Sequence, residues 1–299
     1  MRPEVLTMGR VSVDLYPEQI GVPLAEVRTF RKLLGGSPTN VAVAAARLGR
    51  RSAVITKVGT DGFGDYVRAA LEEFGVDASL VGTDPVLRTP LAFCEIHPPD
   101  DFPLLFYREP TAPDLQLTDA DLAAAPVAEV PLLWMTGTGL SQEPSRSATI
   151  AALKRRERRT HTIFDLDYRP MLWSEDATPF YREAASLATV LVGNREEWAV
   201  LGEAPAGIDV VIEKLGPDGV RGTRGTETVV VPPIKVDVVN GLGAGDAFGG
   251  ALCHGLLAGW ELERMLRFAN AAGAHVASRL GCADEMPSLA EVEELLCAV

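Results

Sequence analysis

Short β-branched runs alternate with longer amphipathic ones along most of this chain. Residues 53–58, 131–135, 162–166, 189–192 and 209–214 read as strands. Between them, 39–48, 63–74, 143–158 and 179–187 read as helices, the first closed by Gly49 as a C-cap. Alternation of this kind predicts an α/β fold, a mostly parallel central sheet covered by helices on both faces. The C-terminal third is heavily helical: 244–257 and 262–279 carry apolar residues at i, i+3, i+4 spacing, and Ser288 with Glu291 makes a capping box.

Two segments break the rhythm, at about 10–34 and 88–112. They hold β-rich stretches at 28–33, 89–96 and 102–107, the last two joined by the hairpin-like Pro98-Pro99-Asp100-Asp101-Phe102-Pro103. Strands inserted into an alternating chain form a small second sheet, which can cap the main sheet where ligands bind and so serve as a lid. With no repeat, low-complexity tract or long linker, residues 1–299 read as one domain carrying that lid.

Composition narrows the function. Lys and Arg number 28 against 41 Asp and Glu, a formal charge of −13. So acidic a surface disfavours nucleic acid and anionic lipid as partners. No apolar run approaches the ~20 residues of a membrane span. The N-terminus enters a strand without the apolar core of a signal peptide, which makes the cytoplasm the expected location. Cys94, Cys253, Cys282 and Cys297 lie far apart with no CxxC spacing, so neither zinc nor a disulfide framework is indicated. Cys253 and Cys282 read as packing residues, and none of the four histidines is assigned to chemistry.

Two glycine segments carry the candidate chemistry. In Asn240-Gly241-Leu242-Gly243-Ala244-Gly245-Asp246, small residues allow a tight turn and a helix begins at once. Free amides and the positive end of the helix dipole then converge on one point, which suits an anion. Asp246 falls in the first turn, where a carboxylate beside a phosphoryl group can take the proton of an attacking hydroxyl. The same text also suits a plain glycine turn whose Asp complements the dipole. It is neither a Walker A loop nor a GxGxxG fingerprint. The second segment, Gly35-Gly36-Ser37-Pro38-Thr39-Asn40, leads into an alanine-rich helix and sets Asn40 in its first turn, able to bond hydroxyls.

These two segments, in this order and about 200 residues apart, resemble the two signatures of the ribokinase-like (PfkB) carbohydrate kinases. The resemblance implies a ribokinase-like fold and ATP-dependent phosphoryl transfer to a sugar hydroxyl, with Mg²⁺. Within the family, Met8-Gly9-Arg10-Val11-Ser12-Val13-Asp14-Leu15-Tyr16-Pro17 and the stretch 98–108 are similar to the 5-dehydro-2-deoxygluconokinases of inositol breakdown. That group phosphorylates the terminal 6-hydroxyl of an acidic keto sugar. A 2-dehydro-3-deoxygluconokinase, a fructokinase or a silent sugar-binding regulator are the other readings.

Carried over residue by residue, the resemblance makes Asp246 the base, with the amides of Gly243, Ala244 and Gly245 as the anion hole. Asp14 and Asn40 would hold sugar hydroxyls, and Gly35 and Gly36 would admit the sugar against the backbone. Asn194 and Glu197 match the Asn-x-x-Glu element that positions phosphate and metal-bound water. Lys214, Gly216 and Gly219 match the nucleotide-side turn, and Asn270 would lie near the adenine. Where many relatives have Asp, this chain has Asn240, which weakens the expectation of a K⁺ site. An exposed lid sheet would also favour a homodimer through its edges.

Arg108 and Arg169 match positions at which acid-sugar kinases of the family meet the substrate carboxylate, which a planar guanidinium pairs bidentately. Each also suits an ion pair, Arg169 with Asp165 or Asp167. On the substrate-binding reading, Arg169→Ala loses far more kcat/KM on an acid sugar than on a neutral ketose. Equal losses on the two in a kinase assay would remove the carboxylate argument.

Overall fold

The β-branched runs form strands where the pattern places them, in a computed structural model that describes residues 2–159 and 161–298. In chain order they begin with β1 (Val5–Met8), β2 (Ser12–Pro17), β3 (Phe30–Gly35), β4 (Ser52–Gly59), β5 (Val76–Asp77), β6 (Val81–Asp84) and β7 (Leu91–Cys94). Next come β8 (Leu104–Tyr107), β9 (Leu132–Thr136), β10 (Thr162–Asp165), β11 (Val190–Asn194), β12 (Val210–Lys214), β13 (Val220–Arg224) and β14 (Glu227–Val231). The first helices are α1 (Ser37–Arg47), α2 (Gly62–Glu73), α3 (Ser145–Arg156) and α4 (Thr178–Leu187). They are followed by α5 (Arg195–Leu201), α6 (Ala244–Leu257), α7 (Leu262–Ala277) and α8 (Leu289–Cys297).

The main sheet runs β14-β13-β12-β11-β10-β9-β1-β4-β5, with β6 also paired to β4. From β12 to β5 and β6 every pairing is parallel. Successive strand residues point to opposite faces, and both faces are buried. Val5, Val54 and Trp134 pack toward α1, α6 and α7 with Val41, Leu252 and Leu266. Their neighbours Leu6, Ala53 and Leu133 pack on the other side, with Leu153 of α3 and Tyr181 of α4.

The chain turns at Gly9, whose φ is +136°, and leaves the main sheet for β2 of a second one. An element that the pattern does not mark precedes the C-terminal helices: β13 and β14 form an antiparallel hairpin on the edge of the main sheet. Gly222 in β13 lies under Leu266 of α7, and the turn at Gly225 needs its positive φ of +59°.

The small sheet, β3-β2-β7-β8, is built from the two inserted segments. Only β2 and β7 run parallel within it. At the other end of the chain, Ser288 and Glu291 form the reciprocal capping box that opens α8.

One contact between helices fixes the site. A Cβ on Gly250 of α6 would lie 2.3 Å from the Ala44 Cβ and 2.8 Å from the Ala45 nitrogen of α1, so the two helices touch backbone to backbone. Gly250→Ala gains at most about 1 kcal/mol of helix propensity. Overpacking against a rigid backbone costs about 1–3 kcal/mol, and here it dominates. The variant should therefore unfold at lower denaturant concentration than the wild type. A midpoint at or above the wild-type value would mean that the helices have room to separate.

Candidate active site

The chemistry-bearing residues stand where parallel strands end. Arg10 follows β1, and Asp165, Asn194 and Lys214 are the last residues of β10, β11 and β12. In open α/β sheets this carboxyl edge is the ligand-binding one. The first turns of α1 and α6 open onto it, and the small sheet stands over it. The resulting cleft is lined by Arg10, Asp14, Asn40, Arg169, Gly243 and Asp246, among others.

Asp246 sits in the first turn of α6. The Asn40 side-chain amide donates to its Oδ2 at 2.9 Å, across 206 residues of sequence. Burial raises the Asp246 pKa, while hydrogen bonds from Ser37 and Asn40 work against the rise. The result is a carboxylate more basic than usual yet held in one orientation. The Asn40 Oδ1 is buried and has no hydrogen-bond partner among the described residues, an acceptor that a ligand hydroxyl could meet. Ahead of Asp246, Gly243 has a φ of +85°, and a Cβ there would lie 2.2 Å from the Cys282 sulfur. Only glycine fits that turn. Within this turn the Ala244 amide donates to the Gly241 carbonyl at 3.4 Å and the Asp246 amide to the Gly243 carbonyl at 3.1 Å.

Asp14 lies on the opposite wall. Ser12 donates to its Oδ1 at 2.6 Å, and its pKa is pushed up to about 6, first by burial and to a lesser degree by the Asp246 charge. Gly35 makes room for this carboxylate: a Cβ on it would lie 2.1 Å from the Asp14 Cγ. Gly36, with a φ of +98°, passes so close to the Arg10 and Val11 backbone that a Cβ would lie 2.5 Å from the Arg10 oxygen. Both glycines serve these close approaches, and Gly36 also lines the cleft.

A dense charge cluster borders the anion turn. Lys214 Nζ is 3.7 Å from Asp165 Oδ1, and would be 3.6 Å from a Cβ on Gly245. Burial together with the Glu197, Asp167 and Asp246 charges raises the Asp165 pKa against the pull of Lys214. The same carboxylates keep Lys214 protonated despite its burial. Asp167, at a φ of +30°, takes a bond from the Thr138 hydroxyl and sits 3.1 Å from Arg169 Nε. The Lys214 charge therefore stands beside Gly245, the residue before Asp246.

Other sequence-predicted residues are engaged differently. Asn194 and Glu197 form a capping box on α5: the Glu197 amide donates to Asn194 Oδ1 at 2.9 Å, and the Asn194 amide to Glu197 Oε2 at 2.7 Å. Glu197 is buried rather than solvated. Gly216 and Gly219 shape the β12–β13 turn with positive φ, and a Cβ on Gly219 would lie 2.1 Å from the Val231 oxygen. Asn270, half-buried, donates to the Pro232 carbonyl at 2.8 Å.

Three readings change. Arg108 does not line the cleft: it makes a buried ion pair with Asp114 at 2.6 Å, and Asp114 also accepts from the Val11 amide. Cys282 does more than pack. It lines the cleft, and the Asn40 amide donates to its sulfur at 3.0 Å. Burial and the Asp246 and Asp14 charges raise its thiol pKa far, so it stays protonated. The Asn240 side chain is spent on the turn, donating to the Leu280 carbonyl at 2.7 Å and accepting from the Leu242 amide at 3.0 Å. Among cleft residues, sequence reasoning missed Arg10. Its signals were a cation two residues beyond the first core strand and its place in the Met8–Pro17 stretch that carries the resemblance.

Asp14 gives the site a pH signature. The folded chain keeps the Asp14 proton up to about pH 6, whereas the unfolded chain releases it near 3.8. The native state thus loses stability as pH rises through that window, by at most about 3 kcal/mol from this group. Asp14→Asn should raise stability over the wild type at pH 7.5, and the difference should shrink toward pH 4. A difference independent of pH in paired denaturation curves would contradict the raised pKa.

Comparison with known proteins agrees with this geometry. The family model described as pfkB family carbohydrate kinase matches residues 2–289. A 5-dehydro-2-deoxygluconokinase of Geobacillus kaustophilus is 34% identical, over 98% of this chain and 93% of its own. Among solved structures, a fructokinase with bound ATP from Xylella fastidiosa superposes with a TM-score of 0.87 at 26% identity, covering 99% of both chains. A fructokinase from Vibrio cholerae, with fructose, ADP and calcium bound, superposes with a TM-score of 0.84 at 26% identity, over 98% of this chain and 99% of that one. With a family match across nearly its whole length, this chain belongs to the pfkB family of carbohydrate kinases and is a phosphotransferase with the ribokinase-like fold.

Proposed function

We propose that the chain transfers the terminal phosphoryl group of ATP to the 6-hydroxyl of 5-dehydro-2-deoxy-D-gluconate, with Asp246 as the general base. The observation that carries the reading is the raised, Asn40-oriented Asp246 carboxylate beside the Gly243–Gly245 turn, with Lys214 on the far side. The sugar hydroxyl approaches Asp246, which accepts its proton as the oxygen attacks phosphorus in line. The turn's amides and Lys214 take the charge that spreads over the phosphoryl oxygens. Asn40 Oδ1 and Asp14 bond the sugar's hydroxyls, and the small sheet closes over it as a lid, excluding water.

Mg²⁺ fits this site as an ion carried by the nucleotide. Among the described residues no group of three or more His, Cys, Asp or Glu side chains is arranged to hold a metal. Asp165 Oδ1 is buried without a hydrogen-bond partner, and Glu197 lies close enough to raise the Asp165 pKa, so acidic groups are at hand for waters of such an ion. When bound, the ion neutralises phosphate charge. A monovalent cation finds little at Asn240, whose amide already bonds Leu242 and Leu280.

A neutral ketose remains a second reading, supported by the likeness to the fructokinases. The deciding experiment measures ADP release from ATP and Mg²⁺ with 5-dehydro-2-deoxygluconate, 2-dehydro-3-deoxygluconate and fructose side by side. The first should give the highest kcat/KM, and a higher value for fructose would overturn the assignment. Replacing K⁺ by tetramethylammonium should change the rate little. Asp246→Asn should lower turnover by ~10²–10⁴-fold while ATP binding persists. Near-full activity of that variant would rule Asp246 out as the base.

A further inference from the structure

We propose that Arg10 takes the carboxylate of an acid sugar in this cleft and so selects acids over neutral sugars. The inference deepens the kinase reading of the same cleft and rests on it. Arg10 is 8% exposed, yet its Nε has no hydrogen-bond partner, and among the described residues no carboxylate lies within ion-pair distance of it. A guanidinium so deeply buried and so little compensated is costly unless something anionic meets it. Its side chain lines the cleft, and the guanidinium carbon stands 5.5 Å from the centre of the Phe106 ring in β8. That places the cation between the end of the main sheet and the small sheet above it.

The other cleft arginine is less free. Arg169 sits 3.1 Å from Asp167, and its charge is further shared with Glu197, Asp246 and Asp165. Arg108 is spent on Asp114. The nearest acidic groups to Arg10 in the cleft are Asp14 and Asp246, whose pKa values its charge lowers without a direct contact. Asp14 takes its short hydrogen bond from Ser12 instead. Arg10 therefore retains its planar fork of donors for a ligand, and a carboxylate is the group that matches it bidentately. A neutral ketose would leave this cation unmet.

The test compares wild type, Arg10→Met and Arg10→Lys on 5-dehydro-2-deoxygluconate, on its carboxamide and on fructose. For Arg10→Met, kcat/KM on the acid should fall on the order of 10²-fold, mostly through KM. Values on the carboxamide and fructose should stay within a few-fold, as should the KM for ATP. Arg10→Lys should recover part of the loss on the acid. Thermal unfolding of Arg10→Met should match or exceed that of the wild type, since an uncompensated charge is removed. Equal losses on all three substrates, or a fall in kcat alone, would overturn the proposal and point to the transferred phosphoryl group. Should the wild type prefer fructose, the substrate reading fails on its own, and calorimetric binding of D-gluconate decides for Arg10. Gluconate should then bind the wild type and not Arg10→Met, with sorbitol alike for both, whereas equal gluconate binding to both would overturn the proposal.

Discussion

The hydrogen bond from Asn40 on α1 to Asp246 on α6 ties the two halves of this site together. It exists because two helices from distant parts of the chain lie almost in backbone contact, at Gly250 against Ala44 and Ala45. Small residues permit that approach, and the approach brings both helix starts to the same edge of the sheet. A larger side chain anywhere on this seam would push the carboxylate away from the amide that orients it. Packing and the geometry of the proposed base are thus coupled through one interface.

Burial does the rest. The cleft gathers carboxylates at Asp14, Asp165, Asp167 and Asp246 against the cations of Arg10, Arg169 and Lys214. The Asp246 charge raises the pKa of Asp14 and of Asp165, the Asp167 charge raises those of Asp165 and Asp246, and Arg10 and Lys214 limit the rise. The protein is anionic overall, yet the transferred group and both substrates in the proposed reaction are anions too. The fold resolves that conflict locally, by placing Lys214 beside the Gly243–Gly245 turn and leaving Arg10, among the described residues, with no carboxylate at ion-pair distance. Electrostatic work that destabilises the empty cleft then favours binding of an anion in it.

The positions of the small sheet and the glycines follow from the same constraint. Gly9 lets the chain leave the main sheet directly after β1, so that Arg10 falls at the crossing and Asp14 on the first strand of the small sheet. Gly35 and Gly36 then bring the return strand against that crossing with no side chain between. The cleft wall is a backbone-to-backbone contact, which gives its carboxylate and guanidinium fixed positions.

The alternation of apolar runs and amphipathic segments determined the layered α/β architecture by itself, because burial on both faces of a parallel sheet leaves a local mark on each strand. The glycine run before Asp246 was equally legible, since tight turns and helix starts depend on a few adjacent residues. The β13–β14 hairpin was not: Gly222 and charged residues break its pattern, and only packing under α7 makes it a pair of strands. Nor could sequence assign the arginines. Arg108 matched a carboxylate-binding position until Asp114, six residues on, proved to hold it in a buried ion pair, and Arg10 stood out only once no carboxylate among the described residues proved to lie within ion-pair distance of it. Which charge is spent on a neighbour and which is left for a ligand depends on distances between remote segments, and those are set by the tertiary fold alone.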